Sequence, residues 1–147
     1  MTCFRATLEF KRRFAAPPER VWRAFTDPDE RSRWGPPSPE VEMNFLEADF
    51  RPGGRDVCRC GTAGEVEVLT YYHIIEPERL IVLSEAVGPP GAPDSAALMS
   101  VEIAPDGSGS TLAMTLQAAS FGSVDMTEQM RQGCAASLAN LERHLSG

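Results

Sequence analysis

The stretch "SVDMTEQMRQGCAASLANLERHLSG", residues 123–147, carries Met126, Met130, Cys134, Leu138, Leu141 and Leu145 at steps of 4, 4, 4, 3 and 4. On a period of 3.6 residues per turn these side chains form one stripe, so the spacing predicts a long amphipathic helix at the end of the chain. Asp125 or Ser123 can cap its start, and Gly147 follows its end. Such a helix needs an apolar surface to cover its stripe, and the rest of the chain has to supply it.

Upstream, the period changes to two. "ATLEFKRRF" sets Ala6, Leu8, Phe10 and Phe14 against Thr7, Glu9, Lys11 and Arg13, with Arg12 interrupting the apolar side. "EVEMNF" alternates Val41, Met43 and Phe45 with polar residues, and "RDVCRC" puts Asp56, Cys58 and Cys60 on one side of a strand. "GEVEVLTYYHII" and "RLIVLSEAV", rich in Val, Ile and Tyr, are joined by Glu76-Pro77-Glu78 and read as central strands. "LMSVEI" and "STLAMTL", joined by "APDGSG", predict a hairpin in which Met99, Val101 and Ile103 face Leu112, Met114 and Leu116. Between the first strand and the others, Pro17-Pro18 suits a helix start for "ERVWRAFTD". Asp27-Pro28 ends that helix and opens a second one, "DERSRW", before Gly35-Pro36-Pro37. The order is strand, two short helices, about six strands and one long helix, an α+β arrangement in a single domain over residues 1–147.

Composition narrows the partners. Fourteen Lys and Arg against 21 Asp and Glu give a formal charge of −7, which disfavours nucleic acid and anionic membrane because both are bound by neutralising phosphates. The cluster Lys11-Arg12-Arg13 is too short to make a groove and reads as a solvated edge. No apolar run is long enough for a membrane span, and the N-terminus is not patterned as a secretory signal, so the expected location is the cytoplasm.

Phosphate-loop, metal and triad chemistry find little support. Gly53-Gly54 leads into an alternating run rather than a helix, so its amides would not converge on a phosphate. They read instead as a sheet corner needing positive φ and close approach. Cys58 and Cys60 share a face that the Cys134 helix should cover, but Cys-x-Cys with one distant cysteine lacks a metal-ligand spacing; free thiols, no metal and no cofactor are expected. Only His73 and His144 are available as imidazoles, and no serine sits in a strand-to-helix elbow. His144, in the last helical turn, suits the helix dipole. Acid–base candidates are Asp56, His73, Tyr71 and Tyr72, with Glu85 or Glu102 joining if their faces point inward; the alternative for Asp56 is a purely structural bond to turn amides or to an arginine such as Arg12.

Taken together, the motifs resemble the SRPBCC, or START-like, superfamily, in the branch related to the activator of Hsp90 ATPase. The resemblance rests on "RRFAAPPERVWRAFTDPDERSRW" (Arg12, Phe14, Ala16-Pro17, Val21-Trp22, Trp34), "RPGG" at residues 51–54, "IIEPERL" and "GSGSTLAMTL", and it spans almost the whole chain. It implies a helix-grip fold: a curved antiparallel sheet of about six to seven strands wrapped round the C-terminal helix, leaving a cavity between them. Relatives often carry Gly-Trp in the last helix where this chain has Gly133-Cys134, a loss of bulk that would widen the cavity. With the inward faces assigned above, the expected lining is Trp34, Phe45, Asp56, Cys58, Cys60, Tyr72, Met99, Met114, Met130, Cys134 and Leu138. The expected function is binding of a small hydrophobic or aromatic molecule, by a monomer or homodimer, rather than catalysis. A cyclase, dehydratase or hydrolase using Asp56 or His73 is the alternative, and a chaperone-associated interaction module the third.

Overall fold

A computed structural model describes residues 2–147. Among them the elements run β1 (Thr2–Phe14), α1 (Pro18–Thr26), α2 (Pro28–Trp34), β2 (Glu42–Ala48), β3 (Arg55–Gly61), β4 (Val66–Glu76), β5 (Leu80–Gly88), β6 (Ser95–Asp106), β7 (Gly109–Gly122) and α3 (Thr127–Ser146). The strands form one sheet in the order β1-β7-β6-β5-β4-β3-β2, antiparallel throughout. The β6–β7 hairpin closes at Asp106 opposite Gly109, with Gly107 at φ 60°, a left-handed turn position that glycine takes without steric cost. Its register sets Met99 against Leu116, Val101 against Met114 and Ile103 against Leu112, as the alternation predicts.

Proline shapes both short helices. Pro17 and Pro18 occupy the N-cap and first turn of α1, where no intrahelical N–H bond is lost, and Asp27 caps α2 by accepting from the Asp29 amide at 2.9 Å. α1 buries Val21 and Ala24, and α2 buries Trp34, whose indole N–H donates to the Ala24 carbonyl at 2.9 Å.

The inner face of the sheet is packed at one end. Leu8, Phe10, Phe14, Ile81, Leu83, Val101, Ile103, Leu112, Met114 and Leu116 form the core with Val21, Ala24 and Trp34, and α3 closes it with Leu138 and Leu141. Fully burying a leucine contributes about 1.5–3 kcal/mol, and Met130, Cys134, Ala135 and Leu145 of α3 add partly buried contacts to the same core. The rest of the stripe behaves differently, because Met126, Met130 and Cys134 are only half-buried. α3 is further tied to the segment after α2, with the Ser137 hydroxyl donating to the Gly35 carbonyl and the Asn140 side-chain amide donating to Pro36. His144 is more than a dipole partner: its Nε2 lies 2.7 Å from Glu30 Oε1 on α2, a carboxyl also held by Arg20 and Arg23. Burial alone would raise the Glu30 pKa, but His144 and Arg20 more than offset it and keep the group below its ordinary value.

Candidate ligand site

Asp56 is held in place by a corner. The Gly53 amide donates to the Tyr72 carbonyl and the Tyr72 amide to the Gly54 carbonyl, clamping the start of β3 to β4. Both glycines are required, Gly53 because its φ is 80° and Gly54 because a Cβ there would lie 2.2 Å from the Asp49 carbonyl oxygen. From this corner Asp56 turns inward, where one carboxylate oxygen accepts from Arg31 Nη1 at 2.8 Å and from the Tyr72 hydroxyl, and the other accepts from the Asp49 amide at 3.1 Å. Its arginine is therefore Arg31 of α2 rather than Arg12, whose Nη1 donates to the neighbouring Lys11 carbonyl. Arg31 also donates from Nη1 to the Tyr72 oxygen and stacks 5.0 Å above the Phe45 ring. Burial, and secondarily the Asp56 hydrogen bond, push the Tyr72 hydroxyl far above its ordinary pKa, so it stays a neutral donor.

In the same row as Asp56, two strands away, lies Glu85. The register places Asp56, Thr70, Glu85, Ala97, Ala118 and Ala6 side by side across six strands on the inner face. Ser95 and Ser120 follow in the next row, so this part of the inner face is floored by small side chains. The α3 backbone comes within 8 Å of β1 and β7, which carry Ala6 and Ala118 of the Glu85 row, and Thr70, Ala97, Ala118, Ser95 and Ser120 are all buried. Glu85 is surrounded by protein yet still reached by solvent, and it has no hydrogen-bond partner among the described residues. Desolvation raises its pKa, and the Arg31 charge only partly opposes this. Burial and the Glu85 charge together push the Cys134 thiol up to about 11.

A stability consequence follows with a definite sign. Because the folded-state pKa of Glu85 lies above its ordinary 4.5, the native state prefers the protonated acid; its contribution is fully present below pH 4.5 and is lost as pH rises through the folded value. Glu85→Gln is expected to remove this loss. Thermal melts across pH 4–8 should show the variant at least about 2 °C above wild type near neutrality, with the gap closing at the acid end. A constant offset would show that Glu85 titrates normally.

The cysteines are free thiols. Cys58 and Cys60 are buried with their sulfurs 3.6 Å apart, sharing one S–H contact. That contact, reinforced by burial, holds Cys58 well above the ordinary thiol range, so it acts as a small apolar side chain.

Of the residues named from the sequence, Asp56, Cys58, Cys60 and Tyr72 are buried on β3 and β4 with half-buried Phe45 beside them on β2, Asp56 and Tyr72 bonding Arg31, and half-buried Met130 and Cys134 of α3 pack against the core to which Tyr72 belongs. Trp34, Met114 and Leu138 belong to the packed core, and half-buried Met99 lies against it. His73 is exposed on the outer face beside Ser84, and Glu102 and Tyr71 are also exposed. The acid–base alternative thus loses His73, and Asp56 is fully engaged in hydrogen bonds. Arg31 was not singled out by sequence, which offers nothing to separate it from Arg33 two residues on. Glu85 was legible, since it shares parity with Ile81 and Leu83 in "LIVLSEAV". Two open troughs mark the molecule, of about 620 Å³ along Lys11, Arg13, Glu102 and Thr111 and about 420 Å³ along Tyr71, Ser84, Glu85, Ala97, Leu98 and Gln117. Both are lined largely by outward-facing side chains.

A seven-stranded antiparallel sheet gripping a C-terminal helix, with two short helices after the first strand, defines a helix-grip protein of the SRPBCC superfamily. The chain belongs to the family described as Activator of Hsp90 ATPase homolog 1-like protein, which matches residues 15–146. Among solved structures, it is similar to the Mll3558 protein of Rhizobium loti, at 31% identity and TM-score 0.84, covering 98% of this chain and 99% of that one. A protein of Rhizobium leguminosarum is similar at 26% identity and TM-score 0.84, over 99% and 97% of the two chains. Ara h 8.0201 shares the fold at 15% identity and TM-score 0.71, over 97% and 98%. No curated protein matches the chain. Among the described residues, no helix is long and apolar enough to cross a membrane.

Proposed function

We propose that this chain binds a small, largely apolar molecule between the inner face of the sheet and the N-terminal half of α3, with Phe45, Cys58, Cys60, Tyr72, Met130 and Cys134 as lining. One observation supports the reading: three inner-face side chains at the margin of the core stay partly reachable by solvent. Arg31 keeps 22% side-chain exposure, and Glu85 and Cys134 are half-buried. Concave apolar sites with few polar groups are the usual small-molecule sites. Native mass spectrometry and calorimetry with a panel of lipophilic compounds should find at least one ligand with a Kd on the order of 1–100 μM.

Cys134→Trp tests the location. The indole should fill the space under α3, abolish binding of that ligand and leave the melting temperature unchanged or higher, as cavity filling commonly does. Retained affinity in a folded Cys134→Trp protein would place the ligand elsewhere.

An acid–base reaction in the same site is the second reading, and its favouring observation is Glu85, an inner-face carboxyl without a hydrogen-bond partner among the described residues, whose pKa burial raises above the ordinary carboxyl value. Its check is that any turnover found is lost in Glu85→Gln while ligand binding persists.

A further inference from the structure

Cys58 and Cys60 stand two positions apart on β3, a spacing that sets strand Cα atoms about 6.6–6.8 Å apart. Their sulfurs nonetheless lie 3.6 Å from each other, so the two buried side chains lean together on the inner face. Among the described residues their only other polar contact is the Arg59 carbonyl, 4.0 Å from the Cys58 sulfur. β3 is one strand in from the sheet edge, which β2 forms. The register sets Phe45 and Val68 beside Cys58, and Met43 and Val66 beside Cys60, and all four of these apolar neighbours are half-buried.

The separation decides what the pair can hold. A disulfide needs the sulfurs at about 2.05 Å, and its usual Cα–Cα range ends at about 6.8 Å, the limit at which this strand spacing stands. A single bridging atom fits better. With a bond to sulfur of about 2.3 Å, as zinc makes, sulfurs 3.6 Å apart subtend an angle of about 100°. A linear two-coordinate cation would need about 4.6 Å, twice that bond. Zinc accepts the angle but requires further ligands, and among the described residues no three His, Cys, Asp or Glu converge to supply them. Trivalent arsenic makes three bonds in a pyramid with angles close to this one, and as a soft acceptor it is matched to thiols. With an organic substituent in its third position, two protein sulfurs complete it.

We propose that Cys58 and Cys60 form a chelating site for trivalent arsenicals bearing one apolar organic group, which lies against Phe45 and Val68. This stands independently of the apolar-ligand reading above, although the two share lining residues. The hydrogen bond from Cys58 lowers the Cys60 pKa below the ordinary thiol value despite burial, so Cys60 supplies the first sulfur and Cys58 closes the ring. For an arsenical with two hydroxyl groups, each As–O bond is exchanged for an As–S bond, and each thiol proton leaves with a hydroxide as water. Arsenic remains trivalent, and no oxidant or reductant takes part.

Phenylarsine oxide, which hydrates to the dihydroxy form, is the probe, applied to the reduced full chain. Native mass spectrometry should show one phenylarsenic group per folded chain, retained in excess glutathione and removed by dithiothreitol. Cys58→Ser and Cys60→Ser should each weaken binding at least about a hundredfold, the advantage of closing a second bond within one molecule. Cys3→Ser should leave it unchanged. A peptide map of the wild-type adduct needs no variant to fold. Trypsin cuts after Arg55, Arg59 and Arg79, so the arsenic should hold residues 56–59 and 60–79 together as one unit. No adduct on the folded chain, an adduct displaced by glutathione, or arsenic on the peptide of Cys3 or of Cys134 would each overturn the proposal. All three outcomes leave the apolar-ligand reading intact, since that is decided by lipophilic compounds without arsenic.

Discussion

Arg31→Leu is expected to destabilise the protein by about 3–5 kcal/mol, the cost of breaking a buried ion pair by removing one partner. The Asp56 side chain is only 4% exposed, so water cannot replace the lost Nη1–H at 2.8 Å. The Tyr72 hydroxyl and the Asp49 amide remain, but two neutral donors do not compensate a full enclosed charge. Near this chain length the midpoint should drop on the order of 10 °C in thermal unfolding. The double variant Arg31→Leu/Asp56→Leu should recover most of the loss, because replacing both partners by apolar groups removes the stranded charge. A loss in the single variant below about 1 kcal/mol would mean that the pair is screened like a surface bridge. The same variant should disorganise the ligand site, because Arg31 is what positions α2 against β3 and the Phe45 ring.

Trp34→Ala should cost a similar amount, about 3–5 kcal/mol, for a different reason. Trp34 is 7% exposed, lies edge-on to Phe25 at 4.9 Å between ring centroids, and donates its indole N–H to Ala24, joining the ends of the two short helices. Truncation leaves a cavity that neither helix can collapse into, because α1 is fixed by Pro17 and Pro18 and α2 by the Asp27 cap. Trp34→Phe should recover most of the packing and lose chiefly the hydrogen bond, about 1 kcal/mol. Urea unfolding separates the two; equal losses would show that the indole N–H, and not the aromatic bulk, carries the contribution.

These two residues also mark how far a reading of the chain alone reaches. Trp34 was visible as the last member of a motif and as the end of a proline-bracketed helix. Arg31, three residues earlier, was invisible, because its importance lies in a β3 carboxylate 25 positions away. Asp56 was placed correctly on the inner face by period-two alternation, but its arginine was sought on β1, a neighbour in pattern rather than in space.

The order of elements along the chain, the β6–β7 register, the glycine corner at residues 53–54 and the long C-terminal helix were all determined by the sequence, because each depends on local periodicity, turn chemistry or the steric freedom of glycine, whereas the pairing of β1 with β7 was decided by the tertiary fold. The stripe of residues 123–147 was expected to line a cavity at Met130, Cys134 and Leu138, and tertiary structure divides these three. Leu138, with Leu141, is fully buried in the core, whereas Met130 and Cys134 pack against it half-buried. Hydrophobic periodicity shows which face of an element turns inward. Whether that face meets matching volume depends on side chains brought opposite it from distant strands.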